Sequence, residues 1–216
     1  MTTRRALLGL LLRASLLGSA AIGLGLGGLS QGWAKAKRRL LPKNTDPQSL
    51  IYEDPEYLNT ENLEPMPLDD FGTMGDTEID IDTAKWRLEV SGTGGSAFEL
   101  AYKDILELPA LEREVLLICP GVFANHGRWK GCSLRGLRDR LALKAEPSKV
   151  VIYGRSKSGR NRNRFDMEEV EADKVFLAYA VNGRPLPQKH GFPLRAVAED
   201  RMGYTWTKYV FKVEFL

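Results

Sequence analysis

Cysteine and histidine are scarce in this chain, two of each among 216 residues, and that scarcity narrows the chemistry at once. A four-ligand zinc site would consume all four side chains. Yet Cys119 and Cys132 are widely spaced, as are His126 and His190, and neither a C-x-x-C nor an H-E-x-x-H sequence occurs. There is no C-x-x-C-H, which argues against covalent haem. Iron–sulfur clusters of the four-thiolate kind are excluded for want of cysteine. Internal repeats are absent. Acidic residues are missing from positions 1–36, which carry Arg4, Arg5, Arg13 and Lys35. Setting that stretch aside leaves 27 basic residues (31 less 4) against 28 acidic ones, a net charge of −1. The apparent basicity therefore belongs to the amino terminus, and no electrostatic footprint for nucleic acid remains.

What the amino terminus does contain is an ordered pattern. Thr3-Arg4-Arg5 gives a basic start, Ala6 to Leu29 is dominated by Leu, Gly and Ala, and Ala34 and Ala36 stand at A-x-A spacing. This is the order of an export signal. Adjacent arginines point to the twin-arginine machinery, a route associated with proteins that fold around a cofactor before they cross the membrane. The expected location is the periplasm or another exported compartment. A retained anchor is the alternative, since roughly 20 apolar residues can span a bilayer, although Arg13 and the glycines make a poor helix. Hydrophobic residues at 43% and charged residues at 27% are ordinary for a globular chain of one core. The expected organisation is a signal over 1–36, an extended arm rich in Pro, Asp, Glu and Asn over 37–75, and one catalytic domain over 76–216.

Within that domain, Trp86-Arg87-Leu88-Glu89-Val90 alternates as a half-buried strand does, and Ser91 to Gly95 breaks it. A short helix is expected between Ala101 and Leu111, then a buried strand at Val115–Ile118 that ends on Cys119. Ser133 to Leu143 places leucines at near-helical spacing and reads as a surface helix. Further strands are expected at 150–153, 174–180, 194–198 and 209–215. Strands outnumber helices and no regular βαβ alternation appears, so the fold class is α+β with mixed or antiparallel sheets and short helices.

In an exported protein, two cysteines are compatible with a disulfide, and spacing leaves that reading open. The context of Cys119 favours another: an apolar strand delivers it to Pro120-Gly121, a tight exit that can present one thiolate to a metal. Leu117-Ile118-Cys119-Pro120-Gly121-Val122-Phe123-Ala124-Asn125, then Trp129-Lys130-Gly131 and Leu134, resembles the metal-binding segment of the sulfite-oxidase molybdopterin family. Trp86 to Gly92, Leu177 to Pro187, His190-Gly191-Phe192-Pro193-Leu194-Arg195 and Gly203 through Lys208 follow that family's order. The resemblance runs from about Asn62 to Leu216. It implies a molybdenum–molybdopterin cofactor, with Cys119 as the one protein sulfur on the metal. It also implies that His190, Arg195 and Lys208 surround the pterin and its phosphate, and that Gly203 permits close backbone approach. Asn62 enters through Asn62-Leu63-Glu64-Pro65, where the family has Asn-His before a proline pair and Leu63 replaces the His. No role is assigned to Asn125 or His126.

The departures bear on substrate. The loop Gly154 to Arg164 has no tyrosine where the resemblance implies a catalytic one, and the arginine run usual beside the family's cysteine is missing. Five cations between Arg155 and Arg164 give local positive potential that can steer an oxyanion or an acidic partner; a solvated loop is the plainer reading. The expected function is oxygen-atom transfer at mononuclear molybdenum, favouring reduction of sulfoxide-like substrates over sulfite oxidation. Without haem, flavin or iron–sulfur motifs, electrons are expected from a separate cytochrome or membrane haem protein. The rival from another class is a metal-free module that keeps the fold and binds an anion or a partner.

Overall fold

The computed structural model describes residues 37–216 apart from 144 and 160, so the expected export signal lies outside the described residues. Ala36–Leu216 form one compact unit. Two small strands, β1 (Arg39–Leu40) and β2 (Leu58–Asn59), pair in parallel in the amino-terminal arm. One five-stranded sheet is built from β3 (Arg87–Gly92), β4 (Ala97–Ala101), β7 (Lys149–Gly154), β8 (Asn161–Asp166) and β12 (Val210–Phe215), in the order β4-β3-β12-β7-β8. The other holds β5 (Ala110–Cys119), β6 (Phe123–Ser133), β9 (Val175–Val181), β10 (Arg184–Pro185) and β11 (Arg195–Ala198). Its path runs β10-β9-β6-β5, with β11 also on β9. Only the β3–β12 pair among these two sheets is parallel, so the expected mixed α+β class holds. The helices α1 (Tyr102–Leu106), α2 (Leu134–Arg138) and α3 (Met167–Glu171) are short.

β5 shows how the sequence reaches the interior. Its first half alternates exposed and half-buried residues, and from Val115 onward every residue is buried. Period-two geometry then splits the apolar run between two faces. Leu117 and Cys119 join the main core, whereas Leu116 and Ile118 face the arm, where they pack with Leu41, Leu50, Leu58, Leu63 and Ala124. Each of those leucines contributes roughly 2 kcal/mol by leaving water. The arm, without apolar periodicity of its own, is thus held by contact with the β5–β6 hairpin.

Three expectations are corrected here. α2 stops at Arg138 because residues 139–141 tighten into turns, with Arg140 N on Leu137 O and Leu141 N on Arg138 O. Leu141 and Leu143 are thereby laid over Gly92 rather than along a longer helix. Residues 161–164, expected within a solvated loop, belong to β8, which pairs residue for residue with β7. The disulfide is ruled out by register: both cysteines are free and buried. Cys119 pairs across the hairpin with Phe123 and Cys132 with Ala110, so they sit at opposite ends of a ten-residue strand, roughly 30 Å apart at ~3.3 Å per residue. A bridge needs Cα atoms within about 7 Å.

His126 lies opposite Leu116 on the arm-facing side of the hairpin, fully buried, with the Glu64 backbone and the Glu114 carboxylate nearby. Burial holds its pKa below the usual value, more strongly than the Glu64 carbonyl and the Glu114 charge raise it. The unfolded chain therefore binds a proton below pH ~6.5 that the folded chain refuses, so stability is full above that pH and falls as the pH is lowered. Each such histidine costs at most about 1.4 kcal/mol per pH unit. Urea unfolding of the wild type between pH 7 and pH 5 should show this slope, and His126→Gln should flatten it; equal slopes in both would contradict the assignment.

Candidate active site

A cavity of about 470 Å³ takes its walls from both sheets. β5 supplies Leu117 and Cys119, β6 supplies Phe123 and Asn125, and β11 supplies Arg195. The segment before β12 adds Gly203, Tyr204, Trp206, Lys208 and Tyr209; Ser156, Ser158 and Asn161 come from the turn into β8, and 72–76 close one side. Five of the six residues singled out in the sequence, Cys119, His190, Arg195, Gly203 and Lys208, therefore line one cavity. Asn62 is not among them: its amide donates to Leu41 O at 3.2 Å and ties the arm together.

Arg195 is held between two indoles. Its guanidinium carbon lies 5.3 Å from the Trp129 ring centre and 5.5 Å from that of Trp206, and the two rings meet edge to face. Cation–π attraction of this kind offsets part of the cost of a buried charge. Burial still pulls Arg195 down to about 9 and Lys208 down to about 8, the latter also through repulsion by Arg195. His190, opposite the Phe71 ring, is pushed down to about 3 by burial and by Arg195, Lys189 and Lys208. Nε2 of His190 and Nε of Arg195 are buried without a hydrogen-bond partner. Burial raises the Cys119 thiol pKa, so a cation must arrive before the thiolate is favoured. Cys132, pushed up to about 12, is a packed structural thiol.

These features suit an anionic ligand that carries its own metal donors. The cationic wall has orphaned donors, and among the described residues no cluster of three His, Cys, Asp or Glu could ligate a metal unaided. A dithiolene-bearing pterin phosphate meets both conditions, supplying anion and sulfur together. Gly203 lets its turn lie close against β5: a Cβ there would stand 2.9 Å from Ile118 O and 3.4 Å from the Cys119 Cα.

The comparisons with known proteins decide the class. The family described as oxidoreductase molybdopterin binding domain matches residues 74–216. The chain belongs to that family. It is 28% identical over 142 residues to the uncharacterized oxidoreductase YuiH of Bacillus subtilis (strain 168), covering 65% of this chain and 70% of that one. It is 27% identical over 191 residues to mitochondrial sulfite oxidase of Homo sapiens, covering 74% of this chain and 34% of the enzyme. The catalytic subunit of protein-methionine-sulfoxide reductase, MsrP, of Campylobacter jejuni is 23% identical over 153 residues, with 62% of this chain and 50% of that protein covered. Among solved structures, sulfane dehydrogenase SoxCD from Paracoccus pantotrophus superposes with a TM-score of 0.59 at 20% identity, over 93% of this chain and 56% of that one. The last shows a shared fold. This molybdopterin-binding oxidoreductase is thus an enzyme of the sulfite-oxidase type, with molybdenum–molybdopterin as its cofactor.

Sequence reasoning missed several residues on this wall. Gly72 to Asp76 carry no hydrophobic period, and only the Phe71-Gly72 step beside a paired glycine at Gly75 signals a constrained segment. Tyr204 and Tyr209 supply phenols from outside the loop where one was sought. Asn125, left without a role, hydrogen-bonds the Gly72 backbone. In Gly203→Ala the new methyl would press on the backbone that carries Cys119, with an expected loss of about 1 kcal/mol in stability or cofactor affinity. Thermal melting of protein with and without cofactor measures it; a neutral result in both would show that Gly203 is not needed for close approach.

Proposed function

We propose that this oxidoreductase is exported and catalyses oxygen-atom transfer at a mononuclear molybdenum centre, acting on sulfoxide-like substrates as a reductase. The observation that carries it is a single thiol, Cys119, on one cavity with His190, Arg195 and Lys208, two of which hold orphaned donors. When bound, the cofactor supplies two-electron oxygen-atom chemistry. The Cys119 Sγ would hold the metal, a soft thiolate on a centre that changes oxidation state. Lys208 and Arg195 would hold the pterin phosphate, the first as a compact charge and the second as a planar fork. His190 stays neutral across the physiological range and so offers a directed N–H without added repulsion. Leu117, Phe123 and Trp206 keep the inner wall dry. The Tyr204 side chain, exposed at the cavity, would supply a phenolic proton to the substrate oxygen.

Reduction is favoured by the likeness to a protein-methionine-sulfoxide reductase catalytic subunit. Sulfite oxidation is the second reading, supported by the likeness to sulfite oxidase and by the phenols at Tyr204 and Tyr209. Among the described residues no helix is long and apolar enough to cross a membrane; export and a periplasmic location rest on the Arg4-Arg5 signal. Electrons would come singly from a separate cytochrome or membrane haem protein. Purified protein from a host that makes the cofactor should contain molybdenum and pterin. It should reduce methionine sulfoxide with a reduced dye faster than it oxidises sulfite with an oxidised acceptor. Activity with sulfite alone reverses the direction; metal-free protein inactive with both removes the proposal.

A further inference from the structure

The inner groups of the cavity are buried. Cys119, His190 and Arg195 are 4%, 1% and 5% exposed, so they lie at the bottom of the cavity and a ligand of pterin size reaches them more easily if a wall moves. Most walls are costly to move, because β5, β6 and β11 are fixed by ladder bonds on partner strands. The turn at 203–206 is closed by its own hydrogen bonds and packs Trp206 inward. Gly72 to Asp76 has no ladder. It is fastened at its two ends by side chains.

At the first end the Asn125 amide grips one peptide group on each side: Nδ2 donates to Gly72 O and Oδ1 accepts from Gly72 N, both at 2.9 Å. At the second, the Asp76 carboxylate accepts from Ser156 Oγ at 2.7 Å and from Lys157 N at 3.1 Å. The Asp76 carbonyl accepts from the Tyr209 hydroxyl at 3.2 Å and from the Lys208 ammonium. Between the ends, Thr73 Oγ1 donates to Lys189 O at 3.1 Å. Met74 is 53% exposed, and Gly75 takes a φ of +73° that side chains rarely adopt. The middle of the segment therefore buries little, and its end contacts are hydrogen bonds that water can replace. Segments of this composition open at lower free energy than strands in a core. The second clasp also grips residues expected to touch the cofactor, since Lys208 reaches both the strap and the cationic wall.

We propose that Gly72–Asp76 is a detachable strap over the cofactor cavity, with Asn125 and Asp76 as positioning residues whose release opens the route by which the cofactor enters and leaves. The proposal rests on the cavity being the molybdopterin site. Its chemistry is local: breaking either clasp frees one end of the segment, whereas the sheets stay paired.

The test compares cofactor-loaded wild type with Asp76→Ala, Asn125→Ala and Asp76→Asn. Hydrogen exchange is read on peptides covering 72–76 and on peptides from β5 and β6, and molybdenum retained per chain is followed by elemental analysis after transfer to cofactor-free buffer. Both alanine variants should exchange strap amides at least tenfold faster with β5 and β6 protection unchanged, and should lose molybdenum at least tenfold faster. Asp76→Asn keeps a side-chain oxygen for Ser156 and Lys157 and should recover most of the wild-type retention. Faster strap exchange with unchanged retention, or faster loss with a protected strap, overturns the strap and leaves the cofactor site standing. Loss of β5 and β6 protection in both alanine variants also overturns it, because the clasps are then structural. Wild-type protein that carries no pterin removes the cofactor reading itself, and the strap with it.

Discussion

Cys119→Ser is expected to lose metal and activity while keeping the fold. The side chain sits at the end of β5, where the strand hands over to Pro120-Gly121, and it is 4% exposed on the cavity wall. Serine is close in volume, so packing against Leu117 and Phe123 changes little and melting of the apo protein should shift by no more than a few degrees. The alkoxide that would replace the thiolate is far too basic to form and too hard for the metal. Turnover should fall more than 1000-fold, a loss of about 4 kcal/mol in transition-state stabilisation. Molybdenum per chain, by elemental analysis, should drop well below that of the wild type. A Cys119→Ser protein with wild-type turnover would remove the thiolate from the mechanism.

The second large effect has opposite signs with and without cofactor. Arg195 is buried, and among the described residues no carboxylate pairs with it; burial draws its pKa from 12.5 to about 9. Burial therefore disfavours the charged guanidinium, and the two cation–π contacts with Trp129 and Trp206 offset only part of that cost. Arg195→Met, which fills the same space between Trp129 and Trp206 without the charge, should therefore raise the apo melting temperature by about 2–4 °C. The same variant should bind cofactor at least tenfold more weakly, because the planar donor for phosphate is gone. Arg195→Lys keeps the charge and loses the fork, so its retention should fall between the two. Calorimetric melting and molybdenum analysis together read both effects. An apo protein destabilised by Arg195→Met would mean that the guanidinium is held for structure rather than for a ligand.

The residues that could be read ahead of the structure share one property: their role is written locally. Val115–Cys119 is an apolar strand that ends on a thiol, and the fold brings that thiol to the cavity wall. β8 was hidden because Asn161, Arg162, Asn163 and Arg164 carry no apolar alternation; they become a strand through pairing with β7, a tertiary cause. The strap was hidden for a related reason. Its clasps join Asp76 to Ser156 and Gly72 to Asn125, residues 80 and 53 positions apart, and no short pattern records such a contact. Asn62 carries a local likeness to Asn-x-x-Pro, yet the fold turns its amide to the Leu41 carbonyl in the arm rather than to the cavity. The separation of Cys119 from Cys132 needed only the hairpin register, yet no spacing rule could supply it.

The central claim is that one protein sulfur, Cys119, is bonded to a metal that the pterin otherwise holds. X-ray absorption at the molybdenum edge, on wild type and on any loaded fraction of Cys119→Ser, counts the sulfur neighbours directly. Two pterin sulfurs and one more are expected in the wild type, with the third missing from the variant. The same sulfur count in both proteins would contradict the account.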